Sequence, residues 1–414
     1  MDKRTIAVID LKAFYSYVEC VDRELDPWTT PLVVADKDRG TNTIVLSVSP
    51  YLKKHGIPSR CRIKELPKGF KYIYAIPRMG RYLERSAEVI SVLYRFVSEE
   101  DVHVYSIDEA FVDLTSYLNY YQKTPLEMVS TIINKIKEDT GLQATAGIGD
   151  NFFLAKVALD IYAKKEKNGI AVVTSDEIKE KLWPITPLSK VWGIGSRMEI
   201  RLNALGLFTV KDIAVSNLDF LKYKFGIMGE QLWKYANGID DADIHEEYIP
   251  KEKSLSLGQV LFRDYKKDEA ITIIREMVDV LSSRMRNQEK MAHVVSLFIG
   301  YSKDKGGFAK RMTLPFATDD TLYLLDGVLE IYNHNIKDLP IRNISICFGG
   351  LTTATCHQLC LFEDEKEQLR RLSLQKTLDA LHSKYGSNSI LRASAFLKES
   401  TIRERNEFIG GHRR

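Results

Sequence analysis

The chain has 414 residues, of which 44% are hydrophobic, 28% charged and 10% aromatic, with only 12 prolines. That is too long for one core and too apolar for a collagenous or largely disordered chain, so about three to four folded domains are expected. Lys plus Arg number 59 against 56 Asp plus Glu, a net charge of +3 that by itself implies no nucleic acid, so any basic surface has to be local.

Cys20, Cys61, Cys347, Cys356 and Cys360 form no Cys-x-x-Cys pair, which argues against a disulfide framework and suits a reducing cytoplasm. The start, Met1-Asp2-Lys3-Arg4 and a short apolar run, is too brief for a signal peptide, and no stretch reaches the roughly 18 apolar residues of a membrane span.

In chain order, Thr5 to Ile9 is a β-branched run stopping on Asp10, followed by helical periodicity from Ala13 to Val21. Leu32 to Ala35 and Thr43 to Val48 read as strands around a Lys-Asp-Arg-Gly turn, and Ser49 to His55 as a short helix closed by Gly56. Between Lys37 and Lys71 nine Lys/Arg face only Asp38 and Glu65, which makes this the local basic patch. Tyr82 to Val97 is helical, and Val102 to Ser106 with Ala110 to Leu114 reads as a hairpin whose turn carries Asp108 and Glu109. Helix Leu126 to Thr140, strand Ala144 to Ile148 and helix Phe152 to Ala163 complete an α+β layer.

Lys190 to Leu205 then reads as helix, Gly-Ile-Gly hairpin and helix, opening a small helical unit that runs to Asn237. Beyond a polar stretch a second α+β pattern is expected: strand Gln259 to Phe262, helix Glu269 to Gln288, strands Val294 to Tyr301 and Lys310 to Pro315, helix Leu322 to Asn335, strand Ile341 to Gly349. The last fifty or so residues are charged and helical, and no repeat or low-complexity block is present.

If the strand ending on Asp10 pairs with the hairpin carrying Asp108 and Glu109, three carboxylates converge on one sheet end. Packed carboxylates repel unless hard cations lie between them, and oxygen ligands with open positions suit Mg²⁺ bridging substrate phosphates, the arrangement of in-line phosphoryl displacement. An isolated Asp at a strand end is usually a turn former or helix cap, so it is the set, not each member, that points to chemistry.

Val8-Ile9-Asp10-Leu11-Lys12-Ala13-Phe14-Tyr15 and Tyr105-Ser106-Ile107-Asp108-Glu109-Ala110-Phe111 resemble the two metal motifs of the Y-family translesion DNA polymerases. The resemblance implies that Asp10, Asp108 and Glu109, with the Leu11 carbonyl, bind two Mg²⁺, and that Asp113 is a structural hydrogen-bonder. It makes Phe14 and Tyr15 nucleotide contacts, Tyr15 being the steric gate placed where a ribose 2′-hydroxyl would fall. Ser49 and Lys53 in Ser47-Val48-Ser49-Pro50-Tyr51-Leu52-Lys53, and Lys156 after Thr145-Ala146-Gly147-Ile148-Gly149, match its triphosphate-binding positions. DinB-like members often have Tyr three residues before the first lysine; Pro50 stands here, which leans toward the UmuC-like branch.

Val191-Trp192-Gly193-Ile194-Gly195 resembles a helix-hairpin-helix, in which Gly193 and Gly195 let backbone amides approach a DNA phosphate without reading sequence. Arg263, Lys303, Lys305, Lys310 and Arg311 are candidates for phosphate contact on one face of the second α+β unit. Cys356-His357-Gln358-Leu359-Cys360 lacks zinc spacing, whereas Gln358, Leu359, Leu361 and Phe362 resemble a peptide that docks bacterial polymerases on the sliding β-clamp. Further on, Tyr385-Gly386, Arg392-Ala393-Ser394 and Arg405 to His412 resemble the C-terminal extension of UmuC-like proteins from Gram-positive bacteria and mobile elements.

The implied fold is an α+β multidomain right hand: a ferredoxin-like palm (1–22 and 72–172), small fingers (23–71), a helical thumb (173–242), a linker (243–252), an α+β little finger (253–355) and a C-terminal tail (356–414). The implied function is error-prone, DNA-directed synthesis from dNTPs on a damaged primer-template in the cytoplasm, with the β-clamp and an accessory subunit as partners and no membrane. Two rival readings share the carboxylates, a palm-fold nucleotidyl cyclase and a catalytically silent DNA-binding accessory. The hairpin and clamp-like peptide disfavour the first, and the complete acidic set disfavours the second.

Overall fold

A computed structural model describes residues 4–246, 250, 253–303, 305–354 and 363–413, of Arg413 the backbone alone. The chain divides into two compact units, 1–247 with 412–414, and 248–411.

The first unit begins with β1 (Ile6–Leu11), α1 (Phe14–Val21), β2 (Leu32–Val34), β3 (Ser47–Val48), α2 (Pro50–Lys54), β4 (Ile73–Ala75) and α3 (Met79–Leu93). It continues with β5 (Val102–Val104), β6 (Glu109–Asp113), α4 (Tyr117–Tyr121), α5 (Pro125–Thr140), β7 (Ala144–Gly149), α6 (Phe152–Val157) and β8 (Ile170–Val173). The main sheet has the order β5-β6-β1-β7-β8, antiparallel except for the β7–β8 pair. Its β1-α1, β5, β6-α5, β7 path with β1 between β6 and β7 is the ferredoxin-like arrangement, extended by β8.

β1 is central and loses both faces to packing, with Ile6, Ala7 and Val8 fully buried. Alternation along the strand sends Ala7, Ile9 and Leu11 to a core shared with α1, α3 and α5, and Ile6 and Val8 to a smaller core against Phe152, Ala155 and Leu159. Asp10 therefore belongs to the α6 side. Helix α5 shows why these elements form: Thr124 and Glu127 make a capping box around Pro125, Met128, Val129, Ile132, Ile133 and Ile136 form one buried face, and Gly141 at φ 69° ends the helix.

A three-stranded sheet, β3-β2-β4, forms a subsidiary layer over Val33, Val45, Val48, Leu52, Ile57 and Leu66. The strand expected over Thr43 to Val48 shrinks to β3, because Val45 bonds to the backbone of Cys61 and Arg60 and Ile44 makes a lone bridge to Arg62. The sequence also gave no sign of β4 and β8, which have too few residues for alternation to register. α7 (Ser196–Asn203), α8 (Val210–Ala214), α9 (Leu218–Phe225) and α10 (Ile227–Ala236) enclose their own apolar core. The helix expected before the Gly-Ile-Gly hairpin is only a 3₁₀ turn, Leu188–Lys190, following Pro187.

The second unit runs β9 (Leu255–Tyr265), α11 (Lys267–Arg286), β10 (Lys290–Tyr301), β11 (Gly307–Thr318), α12 (Thr321–Asn335) and β12 (Ile341–Gly349), then β13 (Thr352–Thr353), α13 (Glu365–Tyr385) and α14 (Ile402–Arg405). Its sheet, β11-β10-β12-β9, is antiparallel throughout, and α11 and α12 share its apolar core. Residues after 363 are part of this unit. α13 docks by a polar face: Arg286 donates two hydrogen bonds to Asp379 (2.6 and 3.1 Å) and one to Gln375, and Gln375 and Arg371 both donate to Asp320. Further along, Thr401 and Ser400 bond Glu276, and Arg405 donates to Gln259.

Candidate active site

Asp10 lies opposite Glu109 in the β1–β6 register, and the Leu11 amide donates to the Asp108 carbonyl at 2.9 Å. Cross-strand neighbours share a face, so these two carboxylates and the residue preceding one of them meet at the open end of the sheet. Glu109 thus begins strand β6 instead of occupying the turn. Asp108 remains in the turn, where its carboxylate accepts from Ser106 Oγ at 2.7 Å. Asp113, expected to be structural, is buried and accepts from the Thr115 amide at 2.9 Å.

Helix α6 brings lysines to this end because β7 has no side chains where they meet. A Cβ on Gly147 would lie 2.1 Å from the Ala155 carbonyl oxygen, and one on Gly149 would lie 2.4 Å from the Ala155 nitrogen. Lys156, almost wholly buried, reaches Glu109 at 2.7 Å and Asp160 at 3.2 Å. Burial opposes its charge, but the two carboxylates outweigh that and hold its pKa above the usual lysine value. Glu109 is raised, chiefly by burial and against the pull of Lys156. Asp10 is pushed up to about 6, first by burial and then by the like charges of Asp108 and Glu109, with Lys164 acting in the opposite sense from 3.8 Å.

The donors suit a hard divalent cation: carboxylate oxygens converge, Asp10 is destabilised as an anion by its acidic neighbours, and the buried Glu109 Oε1 meets Lys156 as an ion pair without a hydrogen bond. Among the described residues no three acidic, His or Cys side chains are yet gathered closely enough to hold an ion. Asp108, turned to Ser106, is the member that has to swing inward.

Other expected contacts divide into those at this end and those elsewhere. The Ala13 backbone, left-handed at φ 48°, launches α1 so that Tyr15 is half-buried and packs on Tyr82 with ring centroids 4.9 Å apart. The Tyr82 hydroxyl donates to the fully buried Glu19 at 2.6 Å, which also receives Arg78, so the ring under Tyr15 is fixed. Burial raises the Tyr15 pKa, with Asp108 adding to it and Arg60 opposing, which sets Tyr15 among the site's charges. Lys53 is exposed at its surface, yet its pKa is lowered by desolvation, with Asp10 and Asp108 opposing.

Two expected nucleotide contacts are corrected. Ser49 is fully buried, and its hydroxyl caps α2 by accepting from Leu52 while donating to the Thr30 carbonyl at 2.7 Å. Phe14 is buried in the palm core behind Tyr15. Sequence reading missed Asp160, Lys164 and Arg60; the signal for the first two was their four-residue spacing from Lys156.

Gly193, at φ 87°, and Gly195, the residue before α7, are exposed with no atom where their Cβ would be, so the hairpin backbone is open to a ligand while Ile194 is buried beneath it. Trp192 donates to the Tyr105 hydroxyl at 3.3 Å, joining this hairpin to the turn that carries Asp108.

In the second unit, Arg263 is paired with Glu269 at 2.8 Å and stacks over Tyr265. Lys310 and Arg311 are consecutive in β11 and point to opposite faces, so they do not form one contact surface; Arg311 lies on the sheet face opposite the helices. Gln358, Leu359, Leu361 and Phe362 lie outside the described residues.

A ferredoxin-like sheet with acidic strand ends, lysines on the flanking helix and a glycine hairpin after it is the palm and thumb of a template-directed nucleotidyltransferase. Residues 9–160 match the model of the impB/mucB/samB family, residues 252–361 that of the family's C-terminal domain, and residues 175–207 that of the IMS family HHH motif. UvrX of Bacillus subtilis (strain 168), named for UV-damage repair, is 37% identical over 99% of this chain and 98% of its own. DNA polymerase IV 2 of the same organism is 31% identical, covering 100% of this chain and 99% of its own. A solved Y-family DNA polymerase chimera of Dbh and Dpo4 aligns at TM-score 0.68 over 84% of this chain and 99% of that one, with 21% identity. The chain belongs to the impB/mucB/samB family, the UmuC-like Y-family DNA polymerases.

Proposed function

We propose that this Y-family polymerase extends a primer 3′ end opposite damaged template with two Mg²⁺ held by Asp10, Asp108, Glu109 and the Leu11 carbonyl. The observation that carries the reading is the Asp10–Glu109 register with Asp108 adjoining it, on the palm of a chain related to polymerases over its whole length. When bound, the two ions supply activation of the primer hydroxyl and neutralisation of the leaving pyrophosphate. The protein's own contribution is placement: Lys53 offers a cation to the triphosphate, Tyr15 on its Tyr82 support blocks a 2′-hydroxyl, and the Gly193–Gly195 backbone holds a DNA phosphate.

The domain reading is palm 1–22 and 72–172, fingers 23–71, thumb 173–242 and little finger from 253, with a boundary near 355 falling inside the second compact unit. Gln358 to Phe362 would tether the enzyme to the β-clamp in the cytoplasm, raising its local concentration on template, with an accessory subunit as a further partner. Among the described residues no helix is long and apolar enough to cross a membrane.

Primer extension across an abasic site tests the function. Wild type should give Mg²⁺-dependent product, Asp108→Ala should lose on the order of a thousandfold in rate, and Tyr15→Ala should raise ribonucleotide insertion about tenfold or more. Product from wild type that persists in Asp108→Ala would overturn the assignment.

A further inference from the structure

Lys156, Asp160 and Lys164 are spaced four apart. In a continuous α-helix the first and third would differ by about 80° around the axis, since eight residues overshoot two turns. Here α6 passes into a π turn over Ala158–Tyr162, whose wider loop takes up an extra residue and brings Lys164 back to the face of Lys156. The outcome is visible at Asp160, which meets Lys156 at 3.2 Å and Lys164 at 2.9 Å from its two oxygens.

The two lysines differ in freedom. Lys156 is only 8% exposed at its side chain and tied to Glu109, whereas Lys164 is 51% exposed and leans from Asp160 toward Asp10 at 3.8 Å. An ammonium that is half in water and makes a long second contact is displaceable at small cost; a buried one tied to two carboxylates is not. Lys53 also lies within electrostatic reach of Asp10 and Lys164, so a leaving Lys164 stays beside the cation assigned to the triphosphate.

We propose that Lys164 is a resident counter-cation of Asp10 that yields this position to the incoming divalent ion and then binds the nucleotide polyphosphate, with Asp160 as its leash. This rests on the reading of Asp10 as a metal ligand, which the experiment checks separately.

Mn²⁺ titration of the full chain, followed by electron paramagnetic resonance without DNA or nucleotide, should show K164M binding Mn²⁺ on the order of three- to tenfold more tightly than wild type, because a competing cation has gone. K164R, which keeps the charge, should bind like wild type. In primer extension K164M should raise the KM for dNTP at least about fivefold with a smaller change in kcat, and K164R should recover most of it. Equal or weaker Mn²⁺ binding by K164M, or an unchanged KM, overturns the proposal. D10N should lose the Mn²⁺ site; if it binds as wild type does, the ligand assignment of Asp10 is what has failed.

Discussion

The molecule contains two clusters of charged side chains under cover, and they are built on opposite principles. Around Arg286 in the second unit every described partner is matched: a bidentate contact to Asp379, further bonds to the Asp319 carbonyl, Thr321 and Gln375, and a second arginine on Asp320. Around Asp10 in the first unit, like charges face one another, Asp10 is pushed up to about 6, and the Glu109 Oε1 atom has an ion pair but no hydrogen bond. Saturated polar networks fix a structure, while an acidic site left short of positive charge is prepared to receive it. The first cluster holds α13 to the sheet-and-helix layer; the second has given up stability to bind.

Breaking the saturated cluster should have the larger effect on folding. Asp379→Ala leaves Arg286 without its bidentate partner at 8% side-chain exposure, and urea unfolding should show a loss of about 3–5 kcal/mol. A loss under about 1 kcal/mol would mean that the cluster is not buried in solution.

Asp10→Asn should act with the opposite sign. A carboxyl raised from 3.8 to about 6 binds its proton more tightly in the folded chain than in the unfolded one, so its contribution to stability falls as pH rises through that window and is fully adverse above it. In EDTA at pH 7.5 the Asn variant should therefore be more stable by about 1–3 kcal/mol, a gain that closes near pH 4. A destabilised variant at pH 7.5 would show that Asp10 is a structural anion and end the contrast.

The smallest effect is expected at the rim of the saturated cluster. Arg371→Met removes the 2.7 Å contact to Asp320, which still accepts from the Leu322 amide and Gln375, so thermal or urea melts should record only about 1 kcal/mol. A loss as large as that of Asp379→Ala would show the network to be a single cooperative unit.

What could be read in advance followed the range of the interaction. Strand β1 ends on Asp10 and β6 starts on Glu109 because each is a local run of β-branched and apolar residues, and the flanking motifs carried the family resemblance. Short pieces escaped: β4 and β8 exist because β2 and β7 offer partners, not because three or four residues prefer extension. Ser49 looked like a substrate contact, but the close approach of Thr30 and the start of α2 claim its hydroxyl. α13 buries Gln368, Gln375 and Asp379, an inward face no apolar period could announce.

The sequence by itself determined the element types, the acidic motifs and the glycines at β7, since hydrophobic period and backbone freedom are local properties. Tertiary structure decided the rest: that Asp10 faces Glu109, that Lys156 is tied to that carboxylate, and that a π turn returns Lys164 to Asp10. Charge energetics depend on distance and solvent, and both are set only when segments far apart in the chain pack together.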